Sequence, residues 1–283
     1  MMKTRFLRLL VLIGLAVGVA SVGNAETSAP SVGAKKGPTT KIYLSETEGE
    51  SAITSNGVAY TAQQAKAFDA PGTVIETKEK AHNAFVYSNG TGLYMEPNTR
   101  IKIDRFAQER FQSAADRTNP EVEPSPSQST VLVTKGTVGI CTNQLAPGST
   151  MVYTTPLAIV NIRRGRLSIE TSPTQTIVDL LEGDITVRAD GNQEGQILHP
   201  GDRAIVQAGA PGQPSTVTIV PTPKEFAQPL DERTNVACNA KKTVFFDVND
   251  AADQQQITAN PTVPAQLPTN LTVSPDRLSG TTP

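Results

Sequence analysis

From Gly72 to Val220 the chain is interrupted again and again by glycine-centred pairs: Pro71-Gly72, Asn89-Gly90, Glu182-Gly183, Asp190-Gly191 and Pro200-Gly201. The runs between them are rich in Val, Ile and Thr. Glycine and asparagine accept positive φ at little cost, so they mark places where the chain changes direction. β-Branched residues suit a pleated, half-buried surface. Segments this short are strand-sized, not helix-sized. Two β runs flanking Asn89-Gly90 are a hairpin signal. The predicted class is therefore all-β: a sandwich, a jelly-roll-like fold or a β-solenoid of many short strands. No strict repeat period singles out the solenoid.

The first strand begins at Lys41 to Leu44. Gly72 to Thr77, Ala84 to Tyr87, Gly92 to Met95 and Ile101 to Ile103 follow. A second block runs from Thr130 to Thr218. Its strands are expected at Val131 to Val133, Thr137 to Cys141, Met151 to Thr154, Ala158 to Arg163, Arg166 to Glu170, Thr176 to Leu181, Asp184 to Ala189, Gln196 to Leu198, Arg203 to Gln207 and Ser215 to Val220. Ile185, Val187 and Ala189 alternate with Thr186 and Arg188, which gives one buried and one wet face. Short helices are expected at Thr61 to Phe68 and Asp231 to Ala240, and a last strand at Thr243 to Val248. Ser113 to Ser129 reads as an exposed Pro-rich loop, too polar for a central strand. A loop of that length inside a domain is unusual and could carry function, with a plain solvated excursion as the simpler reading. Glu26 to Thr40 reads as a flexible lead-in. Asn249 to Pro283 is poor in large apolar residues and is predicted to be disordered.

Met1 to Arg8 carries Lys3, Arg5 and Arg8 and no acid, Leu9 to Ala20 is apolar, and Gly23-Asn24-Ala25 is small. That order describes a secretory signal cut after Ala25. The apolar run is short for a membrane span. Cutting removes three of 25 Lys and Arg and none of 27 Asp and Glu, which leaves 22 against 27, a net charge of about −5. Nucleic acid needs clustered cations to replace its counterions, so it is not the expected partner. The two cysteines, Cys141 and Cys238, are an even count in an exported chain and can form a disulfide. Cys141 lies out of phase with Val138 and Ile140, so its side chain should leave the core face.

The residues that carry chemistry are sparse. His82 and His199, the only histidines, read as surface residues. There is no Gly-x-Ser-x-Gly elbow, no zinc-ligand spacing and no phosphate loop. No catalytic residue, cofactor or metal site is predicted. Asp190-Gly191-Asn192-Gln193-Glu194 could ligate calcium through oxygen, but it has the commoner form of a hairpin tip. Arg163, Arg164 and Arg166 could meet an anionic partner, because guanidinium offers forked donors. Paired carboxylates can cleave a glycosidic bond, yet the chain lacks tryptophan and has few aromatic platforms.

Several stretches taken in order resemble the FecR-domain family of bacterial envelope proteins. They are Gly72 to Thr77, Ser88 to Gly92 and Pro97 to Ile101. Further on come Thr154-Thr155-Pro156-Leu157-Ala158-Ile159-Val160, Ile162-Arg163-Arg164-Gly165-Arg166-Leu167, Val178 to Gly183 and Pro200-Gly201-Asp202-Arg203-Ala204. The resemblance spans about Gly72 to Gln207, within a β domain expected over 41–248. It implies a periplasmic sensing or interaction domain. The helical sigma-factor-binding segment and spanning helix of the family's regulators are replaced here by the signal-like start. The expected function is an exported, non-catalytic binding or signalling module in the periplasm or at the cell surface. Its partner would be an envelope protein or polymer, and after cleavage it would not span a membrane. A structural or adhesive envelope protein and a glycan hydrolase without a recognised motif are the alternatives.

Overall fold

The computed structural model describes residues 40–64, 66–111, 121–192, 194–251 and 254–262. The expected signal segment, nearly all of the lead-in and residues 263–283 lie outside them. Among the described residues the protein is all-β, with one helix.

Its hub is β9 (Ser127–Thr142), a strand of 16 residues. The first half pairs with β8 (Arg100–Gln108) on one side and runs parallel to β10 (Thr150–Thr154) on the other. Beyond Gly136, which has φ +89°, β9 changes partners. It then pairs with β7 (Gly92–Met95) and with β11 (Ala158–Thr171). Two arms of sheet leave this hub. One continues from β8 to β5 (Val74–Thr77), β2 (Ser51–Ser55) and β3 (Val58–Thr61). The other continues from β7 to β6 (His82–Tyr87), β1 (Lys41–Glu48) and β4 (Lys66–Asp69).

The arms meet again at their far ends. Tyr60 of β3 packs edge-on against Phe68 of β4, with ring centroids 5.3 Å apart. The Ser55 hydroxyl donates to the Asp69 carbonyl at 3.0 Å. Ile53, Ile75 and Ile101 from one arm therefore share a core with Ile42, Phe85 and Leu93 from the other. That core continues under β11, β12 (Gln175–Ala189) and β14 (Asp202–Gln207) through Leu167, Val178, Leu180 and Val206. β13 (Gln196–Leu198) and β15 (Thr216–Pro221) extend this end of the sheet. The result is one large sheet folded over its main core, not a stack of repeats.

Three differences from the expected strands share a cause. The segments on either side of Lys135-Gly136, Arg164-Gly165 and Glu182-Gly183 are continuous strands, not pairs joined by turns. Gly165 and Gly183 face each other in register, and a Cβ on Gly183 would lie 2.2 Å from the Arg164 carbonyl oxygen. Each glycine is a mid-strand bend beside a shift in register, and at Gly165 and Gly183 the two paired strands approach each other closely. A bend and a turn both use glycine's freedom, so locally they look alike.

Other expectations are corrected. In the stretch expected as a helix, Thr61 ends β3 and Lys66 to Phe68 lie in β4, and its described residues form no helix. Within the expected exposed loop, residues 113–120 lie outside the described part, but Glu123 and Ser125 are buried and Ser127 already begins β9. Glu123 is held by Asn89 (3.2 Å), the Ala146 N–H (3.0 Å) and the hydroxyls of Ser127 and Ser149. A carboxylate with four donors can be buried at tolerable cost. The predicted disordered tail also begins too early. β16 (Val244–Ala251) pairs along its length with β17 (Gln254–Pro261). Val244, Phe246 and Ile257 pack on Tyr43, Ala84 and Val86, the outer faces of β1 and β6. The unbroken apolar run Ala84 to Tyr87 was the available signal, since a strand covered on both faces loses its alternation.

Candidate functional site

The helix, α1 (Lys224–Ala240), is seven residues longer at its start than the expected one. Pro229 inside it removes a backbone donor, and this disguised the first turns. Leu230, Thr234, Ala237 and Ala240 are buried along one face. That face sits directly on the backbone of the sheet. A Cβ on Gly92 would lie 1.9 Å from the Ala237 carbonyl oxygen, and one on Gly139 would lie 2.7 Å from that of Arg233. Glycine is required at both positions because the helix occupies the space a side chain would take.

Directional contacts fix the helix on this seat. Cys141 and Cys238 are joined by a disulfide across a sequence separation of 97, with Cα atoms 5.1 Å apart. Cys141 does leave the apolar core face, but it is covered by the helix and is only 6% exposed. The Arg166 guanidinium donates to Asp231 (2.7 Å), Asn235 (2.9 Å), Thr234 (3.1 Å) and Glu182 (3.1 Å). Arg233 donates to Glu96 at 2.6 Å. Near the helix start, Arg203 and Asp179 form a buried two-pronged pair at 2.7 and 2.9 Å. The Arg203 guanidinium also lies 4.1 Å from the Phe226 ring centroid.

The three arginines singled out in the sequence thus divide. Arg166 is spent on holding the helix. Arg163 and Arg164 are exposed, and no hydrogen bond or ion pair engages their side chains among the described residues. Arg164 lines a cleft of about 940 Å³, where the end of α1 and the start of β16 approach the facing Gly165 and Gly183 of β11 and β12. Lys241 and Lys242, which sequence reasoning missed, line it too. A doublet after a helix reads as ordinary helix termination, so it gave no separate signal. The Lys241 ammonium donates to the Asn143 side-chain oxygen, and burial pushes its pKa down, only partly countered by the Glu121 charge.

The remaining candidates are dispersed. His82 opens β6 beside Glu46 at 3.3 Å, and His199 is exposed in the turn before β14, its N–H donating to Asp202 at 2.9 Å. In the calcium-like stretch Gln193 lies outside the described residues, and Arg188 donates to the Asn192 carbonyl at 3.0 Å. Among the described residues no cluster of three metal-ligating side chains occurs, and no helix is long and apolar enough to cross a membrane.

No protein-family model matches the chain, and no curated protein matches it. Among solved structures it is similar to two crystal structures, each described as a "putative anti-sigma factor" from Parabacteroides distasonis ATCC 8503. The first is 13% identical with a TM-score of 0.39, covering 55% of this chain and 62% of that one. The second is 10% identical with a TM-score of 0.37, covering 65% of this chain and 98% of that one.

Proposed function

We propose that this chain is an exported module of the cell envelope that acts through binding or signalling contacts and not through catalysis. The observation that carries the reading is the bridge between Cys141 and Cys238. Disulfides form and persist in oxidising compartments and are rare where thiols are kept reduced. The signal-like first 25 residues and the FecR-like order of motifs point the same way. A binding role draws support from the open cationic cleft beside α1.

Export is tested by fractionating cells that carry the chain with a C-terminal tag. The recovered protein is sequenced from its N-terminus and its free thiols are alkylated under denaturing conditions. A start at Glu26, outside the cytoplasm and with both thiols blocked from alkylation, is the expected result. A cytoplasmic protein that starts at Met1 and takes up two alkyl groups would overturn the reading.

A further inference from the structure

The cleft at the end of α1 concentrates charge opposite to that of the chain as a whole. The full sequence has a formal net charge of −2. Arg164, Arg166, Lys241 and Lys242 line the cleft against Glu121 and Glu182. Glu182 is occupied by Arg166 at 3.1 Å. Arg164 has no partner among the described residues, and the Lys242 ammonium reaches only the Asn239 side-chain oxygen at 3.5 Å.

Lys241 is the most constrained of these cations. Its stem crosses Gly92 so closely that a Cβ there would lie 3.0 Å from its Cγ. A longer residue at position 92 would displace both the helix and this stem. The ammonium is thereby held partly desolvated at the cleft, donating to a neutral acceptor, Asn143, with the Glu121 charge only partly offsetting its burial. A partly buried cation gains most from an added anion, because water screens the attraction least there.

The cleft also has an apolar and a backbone component. Val244, Phe245 and Phe246 line it, and the Phe245 side chain is 40% exposed, one of few large apolar groups so placed. Among the described residues β16 pairs with β17 alone, so no described strand lies along its other edge. An open edge offers main-chain donors and acceptors to an extended peptide.

We propose that this cleft binds an extended acidic peptide segment of a partner protein. Its carboxylates would be taken up by Arg164, Lys241 and Lys242, and an apolar side chain would lie against Phe245. Charge complementarity selects the acidic character, and the strand edge with its aromatic neighbour selects a peptide over a polysaccharide. The inference deepens the binding-module reading, and its partner's location rests on that reading.

The test uses the oxidised mature chain and a fluorescein-labelled peptide of alternating Glu and Leu, followed by fluorescence anisotropy. A matched Lys-Leu peptide and polygalacturonate as competitor complete the set. Saturable binding of the acidic peptide that weakens with added salt is expected. Arg164→Glu with Lys242→Glu, both exposed positions, should weaken it by about tenfold or more. Lys102→Glu with Lys224→Glu, an equal change of charge elsewhere, should leave it within about twofold. Circular dichroism and alkylation confirm that each variant is folded and bridged. Equal binding of the Lys-Leu peptide, equal loss in both double variants, or no saturable binding at low salt would overturn the proposal. Displacement by polygalacturonate as effective as by unlabelled peptide would overturn the choice of a peptide. None of these results bears on export, which the fractionation decides separately.

Discussion

The two faces of the sheet around β9 and β11 are built by different means. On the inner face Val138, Ile140, Leu167 and Ile169 are fully buried among other aliphatic side chains. On the outer face the same strands present Gly139, Cys141, Arg166 and Ser168 to α1. The inner face is held by burial, which is non-directional and tolerant of detail. The outer face has little side-chain volume to bury. It relies on backbone contact, a covalent bridge and charged hydrogen bonds, each of which fixes one geometry. The helix is thus positioned more by specific contacts than by hydrophobic area. It is this positioning that sets the cleft at its end.

The largest expected effect lies on the inner face. Leu167→Ala should cost about 2–5 kcal/mol, from lost transfer energy and the cavity left behind. Urea unfolding should show the whole domain destabilised. An unfolding midpoint equal to wild type would mean the core is not the shared one described here.

Next is the bridge. Cys141→Ser with Cys238→Ser should cost about 2–4 kcal/mol. Hydrogen exchange should distinguish this from the core change. Amides of α1 should lose protection while those of β11 and β12 keep theirs, because the helix would open as a local unit. Equal loss everywhere would show that the two faces are one cooperative unit and would remove the contrast.

Gly92→Ala probes the backbone seat without touching any charge or thiol. Overpacking against the Ala237 carbonyl should cost about 1–3 kcal/mol. Arg166 and Arg233 should lose their partners as the helix lifts, so the destabilisation should be coupled to theirs in a double-mutant cycle. Strict additivity would mean the helix does not move.

The smallest effect concerns charges on the strand surface, away from the helix. Glu76 accepts hydrogen bonds from Lys135 at 3.0 Å and Arg100 at 2.9 Å, and these hold its pKa below the usual carboxylate range. A folded-state pKa below the unfolded one gives stability that is present above the unfolded value and is lost as pH falls through the folded one. Glu76→Gln should therefore flatten the acid limb of the stability–pH curve below about pH 4.5 and leave the alkaline limb unchanged. An unchanged acid limb would show the triad to be idle, as many exposed ion pairs are.

Much of the inner face was legible in the sequence. Alternation at Ile185, Val187 and Ala189 placed three core residues, and each is buried. The phase of Cys141 against Val138 and Ile140 pointed its sulfur away from that core. The outer face was mostly illegible. Nothing near Gly92 or Gly139 announces a helix that lies far along the chain, because the glycines are needed for a close approach made only after folding. Arg166 looked equivalent to Arg163 and Arg164 because all three follow one another within four positions. Only the arrival of Asp231, Thr234 and Asn235 separates the clamp from Arg163 and Arg164, whose guanidinium groups have no partner among the described residues.

By itself the sequence determined the all-β character and the identity of the aliphatic face, because turn chemistry and period-two burial are local properties of neighbouring residues. It also determined where the chain could bend. Whether each glycine made a turn or a bend was decided by tertiary structure alone. At Gly136 the chain runs on because each half of β9 finds different partners, and at Gly165 and Gly183 β11 and β12 stay paired while the partner on the other side changes, from β10 to β9 and from β14 to β13. That choice depends on residues far away in sequence, and no local pattern encodes it.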